Sequence, residues 1–233
     1  MKRFWEAAAA APVAGGFTVL LDGKPVRLPG GAPLQVDTLA LAEALAAEWA
    51  QAGGARDGAF QLDELPLTRI AATGQERIAP APAATIAALA KFGETDLLCY
   101  RTPDPPALAA RQHAAWQPWL DWAAHALGAE LKVTTDVAYV AQDKAALEAL
   151  TAALAAQKPM ALAGLGVAVP ALGSLVLGLA VAHGALGVDA AYDAAIVDEL
   201  FQEALWGADD AAVARRARVR AELRQAARLV ALA

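Results

Sequence analysis

MALAGLGVAVPALGSLVLGLAVAHG, residues 160–184, carries no charged side chain from Met160 to Ala182, a run of 23 positions. A helix needs about 20 apolar residues to cross a bilayer. The reading of this stretch therefore decides between a membrane protein and a soluble fold with a very apolar core segment. Gly164, Gly166 and Pro170 interrupt the run, because glycine loosens a helix interior and proline removes a donor. Pro170 suits the first turn of a helix reaching about His183, with Gly184 as its C-terminal stop. Such a helix holds roughly 14 residues, or about 21 Å at 1.5 Å each, short of a hydrocarbon core of about 30 Å. Leu172, Leu175, Val176 and Leu179 form an apolar face, and Ser174, Gly178 and Ala182 a ridge that lets another helix approach. No aromatic or cationic belt flanks the segment. The run reads as a buried helix, and the chain as having no membrane span.

Composition agrees with a helical core. The 233 residues are 58% hydrophobic, and alanine-rich blocks such as AEALAAEWA and ALEALTAALAAQ favour helix. A net charge of −6 gives no attraction to nucleic acid or an anionic bilayer unless the cations segregate. The single cysteine, Cys99, excludes an internal disulfide and any multi-cysteine metal site. MKRFWEAAAAAPVAGGF lacks a long apolar stretch behind its two cations, so no secretory signal is read and a cytoplasmic protein is expected.

Outward from the apolar run, the N-terminal part reads differently. In FTVLLDGKPVRLP, Phe17, Val19 and Leu21 alternate, Asp22-Gly23 supplies a tight turn, and Val26 and Leu28 resume the alternation, which predicts a β-hairpin. Asp37 or Thr38 can cap a helix through ALAEALAAEWAQ that stops at Gly53-Gly54. Pro66 suits the first turn of a further helix. The proline-rich IAPAPAA is the best linker, placing a boundary near Pro82. Beyond it a helix ends at Gly93, a turn runs through TDLLCYR, and a long helix, ALAARQHAAWQPWLDWAAHAL, ends at Gly128. ELKVTTDVAYV is strand-like, and DKAALEALTAALAAQ is a helix halting before Pro159. The fold class expected is α+β: a β-rich domain over 1–82 with one or two helices, then a larger, mainly helical domain over 83–233.

Chemistry-bearing patterns are sparse. His113, His125 and His183 have no partner at metal-ligand spacing. GLGVAVPALG has Val169 where a dinucleotide loop needs its third glycine, and Ser174 lacks the flanking glycines of a nucleophile elbow. No catalytic, cofactor or metal residue is assigned. Trp116, Trp119 and Trp122 form a stripe on one helix that reads chiefly as core, with at least one indole reaching a surface. In AYDAAIVDELFQEALWG, Ile196, Val197, Leu200, Phe201 and Leu205 form the apolar face. Asp198, Gln202 and Trp206 line the other side, beside Glu199 and Glu203. An indole among carboxylates and an amide has the make-up of a recognition surface, an aromatic anchor with a polar rim. An ordinary solvated helix has the same pattern, as does a small helical hydrolase-like enzyme using carboxylates of the 198–203 helix for acid–base work. In the terminal helix Arg216, Arg220, Arg224 and Arg228 form a four-spaced stripe, read as a solvated face.

Taken in order, RFW, GGFTVLLDGKPVRLP, ALAEALAAEWA, LPLTRIA, GETDLLCYR, ARQHAAWQPWLDWA, GSLVLGLAVAHG and DELFQEALWG resemble the Atp12 family over nearly the whole length. TDLLCYR and DELFQEALWG are the most telling pieces. The resemblance implies a non-enzymatic, bacterial cytoplasmic chaperone that binds the free F1 α subunit and assists assembly of the F1 sector of ATP synthase. It implies a small β-rich domain followed by a helical one, and no cofactor. It also implies a role for an acidic residue of the helix before the WG pair, here Asp198 or Glu199, with Glu199 preferred; Gln202 and Trp206 match the same motif.

Overall fold

The computed structural model describes residues 1–136 and 138–233. They form two units: one of residues 1–82, 158–164 and 228–233, the other of residues 83–157 and 165–227. The sequence reading divides the chain once, at residue 82, whereas each unit is built from more than one stretch of chain.

The first unit holds a three-stranded antiparallel sheet of β1 (Ala8–Val13), β2 (Gly16–Leu21) and β3 (Lys24–Pro25), in that order. The expected hairpin is the β2–β3 pair, with Leu21 opposite Lys24 across Asp22-Gly23. Val19, Leu21, Val26 and Leu28 are buried, as the alternation requires. Thr18 is buried too, against that alternation, because its hydroxyl donates to the carbonyl of Leu34. Strand β1 was not expected, and it pairs along its whole length with β2, from Ala8–Leu21 to Val13–Gly16.

Helix α1 (Leu39–Gln51) begins at Thr38, whose hydroxyl accepts from the Leu41 N–H, so Thr38 rather than Asp37 is the cap. The helix ends before Gly53 and Gly54, both at positive φ. Helix α2 (Pro66–Thr73) starts with Pro66 in its first turn. The Glu48 carboxylate of α1 accepts from the N–H groups of Leu67 and Thr68 and from the Thr68 hydroxyl, satisfying the donors that α2 leaves free. Trp5, Trp49 and Phe60 stack edge-to-face in the core, 5.1 to 6.2 Å between ring centroids.

The second unit is helical. It contains α3 (Pro82–Glu94) from Ala83 onward, α4 (Pro106–Trp122), α5 (Lys144–Ala155), α7 (Leu175–Ala182), α8 (Val188–Ala195) and α9 (Val197–Trp206). Helices α6 (Pro159–Leu172) and α10 (Asp210–Leu232) give residues to both units. The strand-like stretch 130–140 forms no strand among its described residues: Thr134 makes one isolated bridge to Tyr100, and Val137 lies outside the described residues. Two main-chain partners, Cys99 and Arg101, are all that Thr134 finds there, too little edge to extend a ladder. The α+β class is therefore what the chain adopts.

The apolar run breaks elsewhere than expected. Helix α6 passes through Gly164 and Gly166 and keeps Pro170 in its last turn. Gly166 and Pro170, four residues apart, are both exposed, so the hydrogen bond that proline forgoes is lost on the solvent side of the helix and not in the core. The true break is Gly173, at φ 63°, followed by Ser174, whose hydroxyl accepts from the Leu177 N–H and caps α7. Leu175, Val176, Leu177, Leu179 and Ala180 are all fully buried. Among the described residues no helix is long and apolar enough to cross a membrane.

Two features here carry expectations. A Cβ on Gly178 would stand 2.6 Å from the Val169 Cγ2, inside a helix with no free side. Gly178→Leu is therefore expected to destabilise by about 3 kcal/mol, read from urea unfolding midpoints at unchanged slope. Cys99 is buried, and loss of solvation pushes its thiol up to about 12, with the neighbouring Asp96 carboxylate adding to the shift. Native protein should be inert to a disulfide reagent at pH 8 and should react fully once unfolded in denaturant. Rapid labelling of the native chain would contradict the burial.

Candidate functional site

Helix α9 is entered from α8 through Ile196 and is stopped by Gly207, which takes φ 91°. Asp209 then accepts from the N–H groups of Ala211 and Ala212 at the start of α10. From there α10 runs back along the two preceding helices, as its ion pairs record. Arg215 meets Glu199 at 3.2 Å, and Arg216 meets Glu199 at 3.7 Å and Glu203 more closely still. Further along, Arg220 pairs with Asp193 and with Asp189 (3.4 Å), and Arg224 pairs with Asp189 at 2.9 Å. Arg220 also lies over the Tyr192 ring, 5.0 Å from its centroid. The expected solvated stripe is thus corrected at Arg216, Arg220 and Arg224, which are committed to carboxylates of α8 and α9. The exposed pairs among them, such as Arg215 with Glu199 and Arg224 with Asp189, contribute at most about 1 kcal/mol each, while Arg216 is largely buried against Glu203. Their effect is to set how α10 lies against α9.

The opposite side of α9 is fixed by α4. Gln112 is buried, donates to the Asp198 carboxylate at 2.8 Å and accepts from the Thr102 N–H at 2.8 Å. Trp116 is buried, its indole N–H donating to the Ala194 carbonyl at 2.8 Å. Arg111 covers the Phe201 ring at 5.1 Å. Of the tryptophan stripe, Trp116 is core, and Trp122 is half-buried against His183, 5.7 Å between rings.

Between α9 and the start of α10 lies an open groove of about 440 Å³, lined among others by Asp198, Glu199, Gln202, Trp206, Arg215 and Arg216. All four residues singled out from the sequence border this one groove. The expected apolar face of α9 needs correction. Phe201 and Ile196 are buried, but Leu200 is exposed and Leu205 is 61% exposed, because α9 packs on α4 along a narrower seam than its hydrophobic pattern covers. Trp206 is 76% exposed, so the end of α9 presents Leu205 and Trp206 side by side to solvent. Arg215 and Arg216 belong to the groove and were missed. Their distance in sequence from Glu199, 16 and 17 positions, has no helical periodicity that could mark the pairing.

Chemically the groove offers hydrogen bonding and charge. Asp198 is engaged by an amide, and Glu199 and Glu203 by guanidinium groups. Among the described residues no group of three or more His, Cys, Asp or Glu is placed to hold a metal.

Residues 2–124 match the family model of the ATP12 chaperone protein. The crystal structure of Atp12 from Paracoccus denitrificans is 39% identical and has a TM-score of 0.93, over 99% of this chain and 97% of that one. An aspartate-to-lysine mutant of P. denitrificans Atp12p matches with the same values. A candidate chaperone from Agrobacterium tumefaciens is 37% identical with a TM-score of 0.92, over 99% of this chain and 85% of that one. The class these define is a chaperone. The chain belongs to the ATP12 chaperone family. The family match ends ahead of the groove, whereas the likeness to the Paracoccus structure extends over it.

Proposed function

We propose that this protein is an assembly chaperone that binds the free α subunit of the ATP synthase F1 sector through the α9–α10 groove, in the bacterial cytoplasm. The observation that carries the reading is the pairing of an exposed indole, Trp206, and the adjacent Leu205 with a carboxylate-lined groove. A subunit awaiting its partner exposes a large apolar interface, and such surfaces aggregate. Reversible cover for it requires an apolar anchor and a polar rim, with no nucleophile, metal or nucleotide. Asp198, Glu199, Gln202 and Trp206 are the contact residues in this reading: the indole supplies buried area, and Glu199 supplies negative charge towards a cationic group of the subunit. The helical part of the chain beyond residue 82 carries this face.

The test is co-elution of the protein with F1 α subunit from the same organism on a sizing column, without nucleotide. A shared peak, with less α lost to aggregate, is expected. Two separate peaks with aggregation unchanged would overturn the reading.

A further inference from the structure

We infer that the first unit carries a second docking site, a cationic apolar trough that takes an acidic, apolar polypeptide segment. The inference rests on the reading of this protein as a chaperone that holds a client chain. The trough begins as a groove of about 510 Å³ over Phe4, Trp5, Trp49 and Phe60. A second hollow of about 500 Å³ shares Met1, Val26, Arg27 and Trp49 with it, so the two adjoin. The floor is rigid: Trp5 donates to the Trp49 carbonyl at 3.1 Å, and Trp49 donates to the Thr68 hydroxyl at 3.0 Å. Its rim leaves large apolar groups in water, Phe4 at 65% exposure and Leu62 at 56%.

The charge around the trough selects the occupant. Lys2, Lys24 and Arg27 border the first part and Arg69 and Arg77 the second, against one carboxylate, Glu76, which accepts from the Gly30 N–H at 2.8 Å. Among the described residues none of these five cations forms an ion pair. In α10, Arg215, Arg216, Arg220 and Arg224 are paired within the fold, whereas Arg218 and Arg228, like the five cations of the trough, form no ion pair among the described residues. In a chain of net charge −6, these five cations give the trough a positive border. Apolar side chains of a client would settle against Phe4 and Leu62, which stand in water above the buried floor, and flanking carboxylates would meet the cations, a match of charge that governs both selectivity and rate of encounter.

The experiment uses the full chain and a short fluorescein-labelled peptide alternating Asp or Glu with Leu or Phe, beside the same peptide with Lys at every acidic position. Fluorescence anisotropy should show the acidic peptide binding at least about tenfold more tightly, with affinity falling as salt rises. The double variant K24E/R27E should lose about tenfold or more in affinity, and Phe4→Ala, which removes a side chain already in water, should weaken binding without unfolding. Glu199→Lys should leave peptide binding unchanged. Equal binding of both peptides, binding unmoved by Phe4→Ala and by K24E/R27E, or capture only of anionic lipid vesicles or of a second copy of the chain would overturn the inference. Loss of peptide binding alone would leave co-elution with F1 α intact. Absence of co-elution with peptide binding retained would instead overturn the F1 α reading and keep this one.

Discussion

Asp96→Ala should cost about 4 kcal/mol of stability, a large share of the roughly 5–15 kcal/mol typical of a folded domain. Asp96 is fully buried, and its two oxygens accept from the N–H groups of Leu98 at 3.1 Å and Val176 at 3.0 Å. Ser174 adds its hydroxyl to the same carboxylate. One side chain thus caps both the turn at 97–99 and the start of α7. Its removal orphans several buried donors, at about 1–3 kcal/mol each. Burial pushes this carboxyl up to about 6 from its ordinary value of 3.8, while the donors pull it back only partly. A carboxyl raised in the folded state adds stability that is fully present below pH 3.8 and is lost as pH rises through 6. The loss is on the order of 3 kcal/mol between pH 4 and 7. Asp22 and Glu64 act in the opposite sense, because N–H groups that donate to them hold both carboxyls below their ordinary values. Since those two are common to wild type and variant, the difference between wild type and Asp96→Asn isolates the buried group. That difference should shrink from pH 4 to 7 in urea titrations, and a difference independent of pH would refute the assignment.

Glu199→Lys should weaken binding of F1 α by at least about 30-fold while leaving the fold intact. The substitution removes a carboxylate from the groove and sets a cation beside Arg215 and Arg216, which now pair with Glu199 at 3.2 and 3.7 Å. The cost to folding is small, about 1 kcal/mol, because Glu199 and Arg215 both reach solvent and the buried Arg216 keeps its pair with Glu203. The cost to binding is larger, since reversing one charge opposite a cationic partner group costs about 2 kcal/mol or more. Trp206→Ala should weaken binding by a similar factor through loss of apolar anchor area, with no change in melting temperature, because Trp206 is 76% exposed. Co-elution titrations and melting curves on the same preparations separate the two quantities. Wild-type affinity in both variants would remove this face from consideration.

Elements with local signals were legible in the sequence. The β2–β3 hairpin follows from its alternation and turn, α2 from Pro66 in its first turn, and the end of the long helix from Gly128 at φ 71°. Strand β1 was not legible: AAAAPV has no strand propensity, and it becomes a strand because β2 offers it an edge along its full length. The start of α7 was misplaced at Pro170 for a related reason. Whether a proline ends a helix depends on whether the hydrogen bond it forgoes is lost in the core or at the surface, and here Gly166 and Pro170 are both exposed.

The candidate face divides in the same way. From residues alone came its acidic and aromatic make-up on one helix, the apolar character of the run from Met160, and the absence of any catalytic motif. These depend on residue type and on spacing within one element. Only the tertiary structure decided that Asp198 is tied to Gln112 across 86 positions, that Leu205 stands in water beside Trp206, and that Arg215 and Arg216 close the groove. Such pairings depend on the path by which α10 returns along α9. Electrostatic partners brought together by that return leave no periodic trace in the chain.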